Sequence, residues 1–264
     1  MINTPAEIAA QFIDVGTAKA RLTVRQTLIL GFFAGAFIAL AGVGASAASV
    51  TIASASVAKL VGACVFPVGL AVILLAGGEL FTGNNLMVIS LLEKKISLAQ
   101  LLRNWVLVYI GNIIGAAFIA ALAAFGHVYL LFGGAFATSV ADTAVYKVGL
   151  SFQDALLKGV LCNILVCGAV WVAASAKTSH GKVISLFLPV MLFVLCGFEH
   201  SVANMYYIAA GIFESMDPAY ASLTGDMAIT FGGVLKNLVP VTLGNIIGGS
   251  GVIGVGYWLV YLKK

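Results

Sequence analysis

Two carboxylates occupy places where an apolar chain should not carry them. Glu79 and Glu199 sit in the same frame, Gly77-x-Glu79-x-x-x-x-Asn84 and Gly197-x-Glu199-x-x-x-x-Asn204, 120 residues apart and each inside an otherwise apolar stretch. An ionisable side chain in such a stretch costs free energy and is best read as a functional position. The second copy adds His200, one of three histidines; His127 and His180 fall near expected span ends, where water reaches them. Desolvation disfavours the charged imidazole, and an anion arriving beside it reverses that preference. Such a site can lend a proton to a weak-acid anion, which then crosses an apolar constriction as its neutral acid. Thr82 and Asn204, one from each polar cluster, are placed to orient the substrate or the imidazole. Glu79 and Glu199 are expected to brace broken-helix amides, because a free carboxylate in a pore would repel anions.

Composition sets the frame that must hold these residues. The chain is 61% hydrophobic and 9% charged, with mean hydropathy +1.09, far from the quarter of charged residues usual in soluble domains. It therefore reads as an all-α polytopic membrane protein. At about 20 residues per span, the apolar blocks predict six helices over 26–50, 60–92 with a break, 98–126, 152–175, 183–213 with a break, and 228–262. Period-two alternation is missing, which excludes a transmembrane barrel. Gly31-x-x-x-Gly35, Gly111-x-x-x-Gly115 and Gly244-x-x-x-Gly248 predict close helix crossings.

Lys19, Arg21, Arg25, Lys94, Lys95, Arg103, Lys177, Lys182, Lys263 and Lys264 place 10 of 14 basic residues on one side. The positive-inside rule makes that side, and both termini, cytoplasmic, in the cell inner (plasma) membrane. Glu214, Asp217 and Asp226 fall on the other side. The net charge of +4 is this bias and implies no nucleic-acid partner.

The repeat extends beyond the glutamates, since Gly-Asn-Ile-Ile-Gly recurs at 111–115 and 244–248. Two units of three spans must enter the membrane from opposite sides, giving an inverted repeat with polar breaks in the second and fifth helices. Freed helix N-termini at such breaks suit an anion. The chain is expected to be one channel domain over 1–264: a cytoplasmic amphipathic helix (1–25), a first repeat (26–126), an outward connection (127–150) holding Lys147, and a second repeat (151–262). Ile8, Phe12 and Val15 share one helical face, which predicts a helix lying at the membrane surface rather than a cleaved signal. Cys64, Cys162, Cys167 and Cys196 read as small buried hydrophobes. Trp105, Trp171 and Trp258 read as interface anchors, and Asn112 as a helix–helix clamp. No cofactor or metal site is evident.

Three segments, Gly78-Glu-Leu-Phe-Thr-Gly83, Gly197-Phe-Glu-His-Ser-Val-Ala-Asn-Met205 and Asn237-Leu-Val-Pro-Val-Thr-Leu-Gly-Asn-Ile-Ile-Gly-Gly249, resemble the formate/nitrite transporter family. The resemblance covers nearly the whole chain. It implies an aquaporin-like protomer, assembly as a homopentamer in the lipid bilayer with one pore per protomer, and passage of small monovalent anions or their neutral acids. It implies a central histidine at His200, a loop threonine at Thr82 and a vestibule lysine at Lys147, with polar partners Asn163, Glu199, Asn204 and Asn245. It also implies apolar constrictions at Leu70, Leu80, Phe81, Val166 and Phe193. Gly77-Gly-Glu-Leu-Phe-Thr-Gly83 departs from the Gly-Ala-Asp-Leu-Phe-Thr-Ser of formate-channel members and is more similar to the nitrite and hydrosulfide branches, with hydrosulfide favoured.

The leading expectation is thus a channel for hydrosulfide, nitrite or formate, not an enzyme. A proton-coupled symporter of the same anions would use the same histidine. A neutral-solute pore lacks its paired Asn-Pro-Ala motifs, and a hydrolase using Ser201 beside His200 lacks triad geometry.

Overall fold

The computed structural model describes residues 2–225, 227 and 229–263. Asp226 and Lys264, counted above in the charge bias, lie outside the described residues. Helices α1 (Pro5–Ala20), α2 (Val24–Ser49), α3 (Ala55–Ala76), α4 (Phe81–Leu92) and α5 (Leu98–Phe125) are followed by α6 (Ala135–Gly149), α7 (Phe152–Ser175), α8 (Ser179–Leu195), α9 (Ser201–Met216) and α10 (Phe231–Tyr261). No strand occurs among the described residues.

Polar caps start the long helices where the apolar blocks begin. Thr23 with Gln26 and Ser97 with Gln100 close reciprocal capping boxes on α2 and α5. Ser151, Thr178 and Thr230 cap α7, α8 and α10. Each cap satisfies an amide that would otherwise enter the membrane unpaired.

The expected breaks are present. Gly77 ends α3 at φ +95°, and Gly197 follows α8 at φ +67°. Both are left-handed positions that cost a side-chain-bearing residue energy. The second span is therefore α3 plus α4, and the fifth is α8 plus α9. With α2, α5, α7 and α10 they form six spans in two inverted units of three.

By length and apolarity alone, Val128–Gly149 also qualifies as a span while the two fifth-span halves do not. That segment bends, however: Leu131, Phe132 and Gly133 leave helical geometry, and α6 itself has 15 residues. At 1.5 Å per residue α6 is about 22 Å long, short of a hydrocarbon core of about 30 Å. The expected outward connection is thus largely helical, and α6 packs against α9.

Close crossings follow the glycines. A Cβ at Gly35 or Gly115 would strike the backbone of the other helix in the α2–α5 pair, and one at Gly244 or Gly248 would strike α7. Backbone contact at these points lets side-chain amides reach carbonyls across the crossing.

α1 does not lie free at the membrane surface. Ile8, Ala9 and Phe12 are buried with Leu86, Ile89 and Trp171, and Phe12 stacks on Trp171 at 5.4 Å. Ser90 Oγ also donates to the Phe12 and Ile13 carbonyls. The amphipathic face found a protein groove beneath the first break rather than lipid. Both chain ends meet there, since α1 packs with the end of α10; we call this the terminal face and its opposite the far face.

Trp105 and Trp258 are likewise tied to protein, donating to the Asn84 carbonyl (3.1 Å) and to Glu93 (2.7 Å). Cys162 and Cys167 are buried as expected, but Cys64 and Cys196 are exposed.

Candidate functional site: two broken helices and the pair between them

After each glycine the chain runs extended for three residues before the helix restarts. The restart amides would be orphans in an apolar interior. Asn112 Oδ1 accepts from Phe81 N–H (3.0 Å), and Asn245 Oδ1 accepts from Ser201 N–H (2.9 Å). Asn112 Nδ2 donates to the Gly31 and Glu79 carbonyls at 2.8 and 2.9 Å. Asn245 Nδ2 donates to the Gly159 and Glu199 carbonyls at 2.8 and 3.0 Å. Each asparagine therefore does two things, clamping a helix crossing and fixing a break.

The carboxylates do not brace backbone amides as the sequence suggested. Glu199 accepts from Lys147 Nζ at 2.7 Å and from Asn204 Nδ2 at 2.7 Å. Asn204 Nδ2 also donates to Asn237 Oδ1, and Asn237 Nδ2 to the Lys147 carbonyl, both at 2.8 Å. The first repeat builds the same ring. Glu79 accepts from Lys19 Nζ (2.5 Å) and Asn84 Nδ2 (2.6 Å), and Asn84 Nδ2 also reaches Asn104 Oδ1 (2.8 Å). A buried carboxylate needs a cation and further donors to offset desolvation, and each ring supplies both.

Lys147 is consequently not a solvated loop cation. It sits in the last turn of α6 with its side chain 12% exposed, turned inward onto a fully buried Glu199.

His200 precedes α9 as its N-cap and is 2% exposed. Its Nδ1 accepts from Ala203 N–H at 3.0 Å, and its Nε2 lies 2.8 Å from Thr82 Oγ1. An amide donor on Nδ1 means that nitrogen carries no hydrogen, so Nε2–H donates to Thr82. That is the sole hydrogen bond of Thr82 Oγ1 among the described residues, leaving its own hydrogen available. Phe193 stacks on the imidazole at 5.8 Å.

Asn163 Nδ2 donates to the Thr82 and Asn245 carbonyls at 3.3 and 2.6 Å, tying the first break to the second repeat. Its Oδ1, like Asn204 Oδ1, is buried without a partner.

Two cavities approach this pair from opposite faces. On the far face a chamber of about 300 Å³ ends on His200, Phe66 and Phe193 and widens into a mouth of about 810 Å³. On the terminal face a chamber of about 170 Å³ ends at Leu70 and Leu80. Leu70, Leu80, Phe81, Val166 and Phe193 are all at most 4% exposed and share one core. Leu70, Leu80 and Phe193 close the chambers, whereas Phe81, held edge-on by Tyr109 at 5.0 Å, and Val166 line neither. Phe66, perpendicular to Phe193 at 5.8 Å, belongs with the closures.

Sequence reasoning missed Lys19, Lys59, Phe66, Asn104 and Asn237. Asn104 and Asn237 carried a signal, since Asn104-x7-Asn112 repeats as Asn237-x7-Asn245. Lys19 and Lys147 share no local motif and meet their glutamates only in three dimensions.

Six spans, two opposed broken helices and a histidine–hydroxyl pair sealed between two vestibules define a membrane transport protein with an aquaporin-like fold. The comparisons agree. The family model described as "Formate/nitrite transporter" matches residues 6–259, and the chain belongs to that family, whose members are transporters rather than enzymes. An uncharacterized transporter, YrhG, of Bacillus subtilis is 39% identical over 98% of this chain and 94% of its own length. The formate channel FocA of Haemophilus influenzae is 37% identical over 99% and 95%. A solved structure titled "Pentameric formate channel with formate bound" superposes with a TM-score of 0.80 at 35% identity, over 91% of this chain and 98% of that one.

Proposed function

We propose that this protein is a channel for small monovalent weak-acid anions. It passes formate, nitrite or hydrosulfide as a homopentamer with one pore per protomer. It sits in the inner (plasma) membrane with both termini cytoplasmic, so that the terminal face is the cytoplasmic one. The observation that carries this reading is the His200–Thr82 pair, a neutral donor chain set between apolar closures.

Leu70, Leu80, Phe66 and Phe193 offer no donors to replace an anion's water, so a bare charge is rejected and a neutral acid is admitted at far lower cost. At the pair every donor points the same way, from Ala203 N–H to His200 Nδ1, from Nε2–H to Thr82 Oγ1, and from the Thr82 hydroxyl onward. A carboxylate or hydrosulfide arriving there accepts that last hydrogen bond. Transient protonation by His200 further requires Nδ1 to exchange its Ala203 bond for a proton, so proton lending is coupled to a local loosening of the α9 N-terminus. Asn163, Glu199, Asn204 and Asn245 hold the pair in place.

Formate is the first substrate to test, given what the relatives carry. Hydrosulfide is favoured by Gly83, which adds no side chain to the terminal-face chamber just after the first break, and by its partial protonation near neutral pH. A proton-coupled symporter would use the same pair but change shape in each cycle.

Stopped-flow swelling of proteoliposomes in isotonic formate, nitrite, hydrosulfide and glycerol tests the reading and ranks the anions. Rapid entry of at least one weak acid with exclusion of glycerol is expected. Entry of glycerol alone would overturn it.

A further inference from the structure

Each vestibule holds two lysines, and in each the deeper one is already spoken for. Lys147 on the far face binds Glu199, and Lys19 on the terminal face binds Glu79. Lys59 lines the far-face chamber and its mouth beside Lys147, and no ion pair engages it among the described residues. Lys182 lines the terminal-face chamber beside Lys19 and is likewise without a carboxylate partner there. Neither chamber proper is lined by a carboxylate; Asp142 and Glu199 join only at the wider far-face mouth.

The two unpaired lysines also occupy related places in the repeat. Lys59 lies 18 residues before Gly77 on α3, and Lys182 lies 15 residues before Gly197 on α8. A difference of three residues is nearly one helical turn, so both sit on one face of the entering half of a broken span.

We propose that Lys59 and Lys182 are the cations that draw substrate anions into the two vestibules, while Lys147 and Lys19 anchor the break glutamates. A paired lysine and its carboxylate present a dipole, whose field fades faster with distance than that of a lone charge. A single-sign charge in a concave, low-dielectric mouth concentrates counter-ions far more effectively. The proposal deepens the anion-channel reading and rests on it for its consequence in transport, but its electrostatic content can be measured without flux.

The test reads local potential on the intact, detergent-solubilised protein. In a background with Cys64→Ala and Cys196→Ala, Ser139→Cys places a thiol in the far-face chamber, where Ser139 lines both cavities. Its reaction rates with an anionic and a cationic methanethiosulfonate reagent are compared at about 20 mM salt, where the Debye length exceeds the chamber. Lys59→Gln should lower the anionic-to-cationic rate ratio about three- to tenfold, Lys59→Arg should restore it, and 1 M salt should abolish the difference. The charge-neutral double exchange Lys147→Gln with Glu199→Gln should leave the ratio within about twofold of the parent. A ratio that falls in the double exchange and not in Lys59→Gln would overturn the assignment.

If the double variant does not fold, the salt dependence of Lys59→Gln and its rescue by arginine decide alone. An unchanged ratio in Lys59→Gln refutes the proposal. Ala174→Cys, on the terminal-face chamber, gives the same reading for Lys182→Gln. If the reporter variants show these ratios while wild-type protein carries no anion, the transport reading is refuted and the electrostatic assignment stands.

Discussion

The two breaks use one hydrogen-bond plan and differ in what stands at the restart. Lysine, glutamate and two asparagines form a ring at each, and a third asparagine caps the first amide and clamps the crossing. At the position before the restart the first repeat carries Leu80 and the second His200, and two residues later Thr82 faces Val202 in the alignment. Leu80 caps nothing, whereas His200 accepts from Ala203 N–H. Each repeat thus contributes one member of the His200–Thr82 pair and one apolar counterpart. Duplication supplies the scaffold, and divergence at two positions supplies the pair on which the proposed function rests.

A second difference lies in depth. Lys147 and Glu199 have side chains 12% and 0% exposed, against 24% and 7% for Lys19 and Glu79. Removing one member of a buried pair leaves the other charge uncompensated. Lys147→Ala is therefore expected to destabilise the folded protein by about 3–5 kcal/mol, and Lys19→Ala by clearly less, as read by thermal unfolding in detergent. Equal losses would show that the two rings are buried alike in the membrane.

Asn245→Ala and Asn112→Ala each remove the side-chain partner of a buried restart amide and of a break carbonyl. A loss of about 2–3 kcal/mol is expected for each, equal within error because the bonds match in length. A much smaller loss at Asn112 would mean that water satisfies the first break. Gly77→Ala and Gly197→Ala should each cost about 1–2 kcal/mol, from backbone strain alone, since no atom lies within 4 Å of the added methyl.

The smallest effect concerns α1, which brings Lys19 to its ring. Glu7 has its carboxyl held below the usual range by hydrogen bonds from the Thr4 amide and hydroxyl. A depressed folded-state value means the cap's contribution is complete above the ordinary carboxylate range and is lost as pH falls from there through the lower folded-state value. Relative to the intrinsic exchange rate at each pH, the protection of the first-turn amides of α1 against hydrogen exchange should fall at acid pH, while the α6 end bearing Lys147 shows no matching loss of protection.

Much of this was legible in the chain because membrane burial writes loudly. Glu79, Glu199 and their spacing gave the breaks, and Gly-Asn-Ile-Ile-Gly gave the repeat. What stayed hidden was pairing across sequence. Nothing local tells Lys147 to turn inward onto Glu199, and the apolar face of α1 reads the same whether lipid or protein covers it. The element preceding each repeat is hidden in the same way. α1 and α6 are equivalent lysine-bearing helices, one at each face, but their sequences share no motif to say so.

The measurement closest to the central claim exchanges the divergent positions between repeats. His200→Leu and Thr82→Val each install the residue that the other repeat carries. Formate uptake into proteoliposomes is compared with wild type, with unfolding temperature and oligomer size as controls. Loss of the cap should cost His200→Leu about 1 kcal/mol, so both variants should fold. Loss of at least about tenfold in uptake by both is the predicted result, and wild-type uptake by either would contradict the role of the pair.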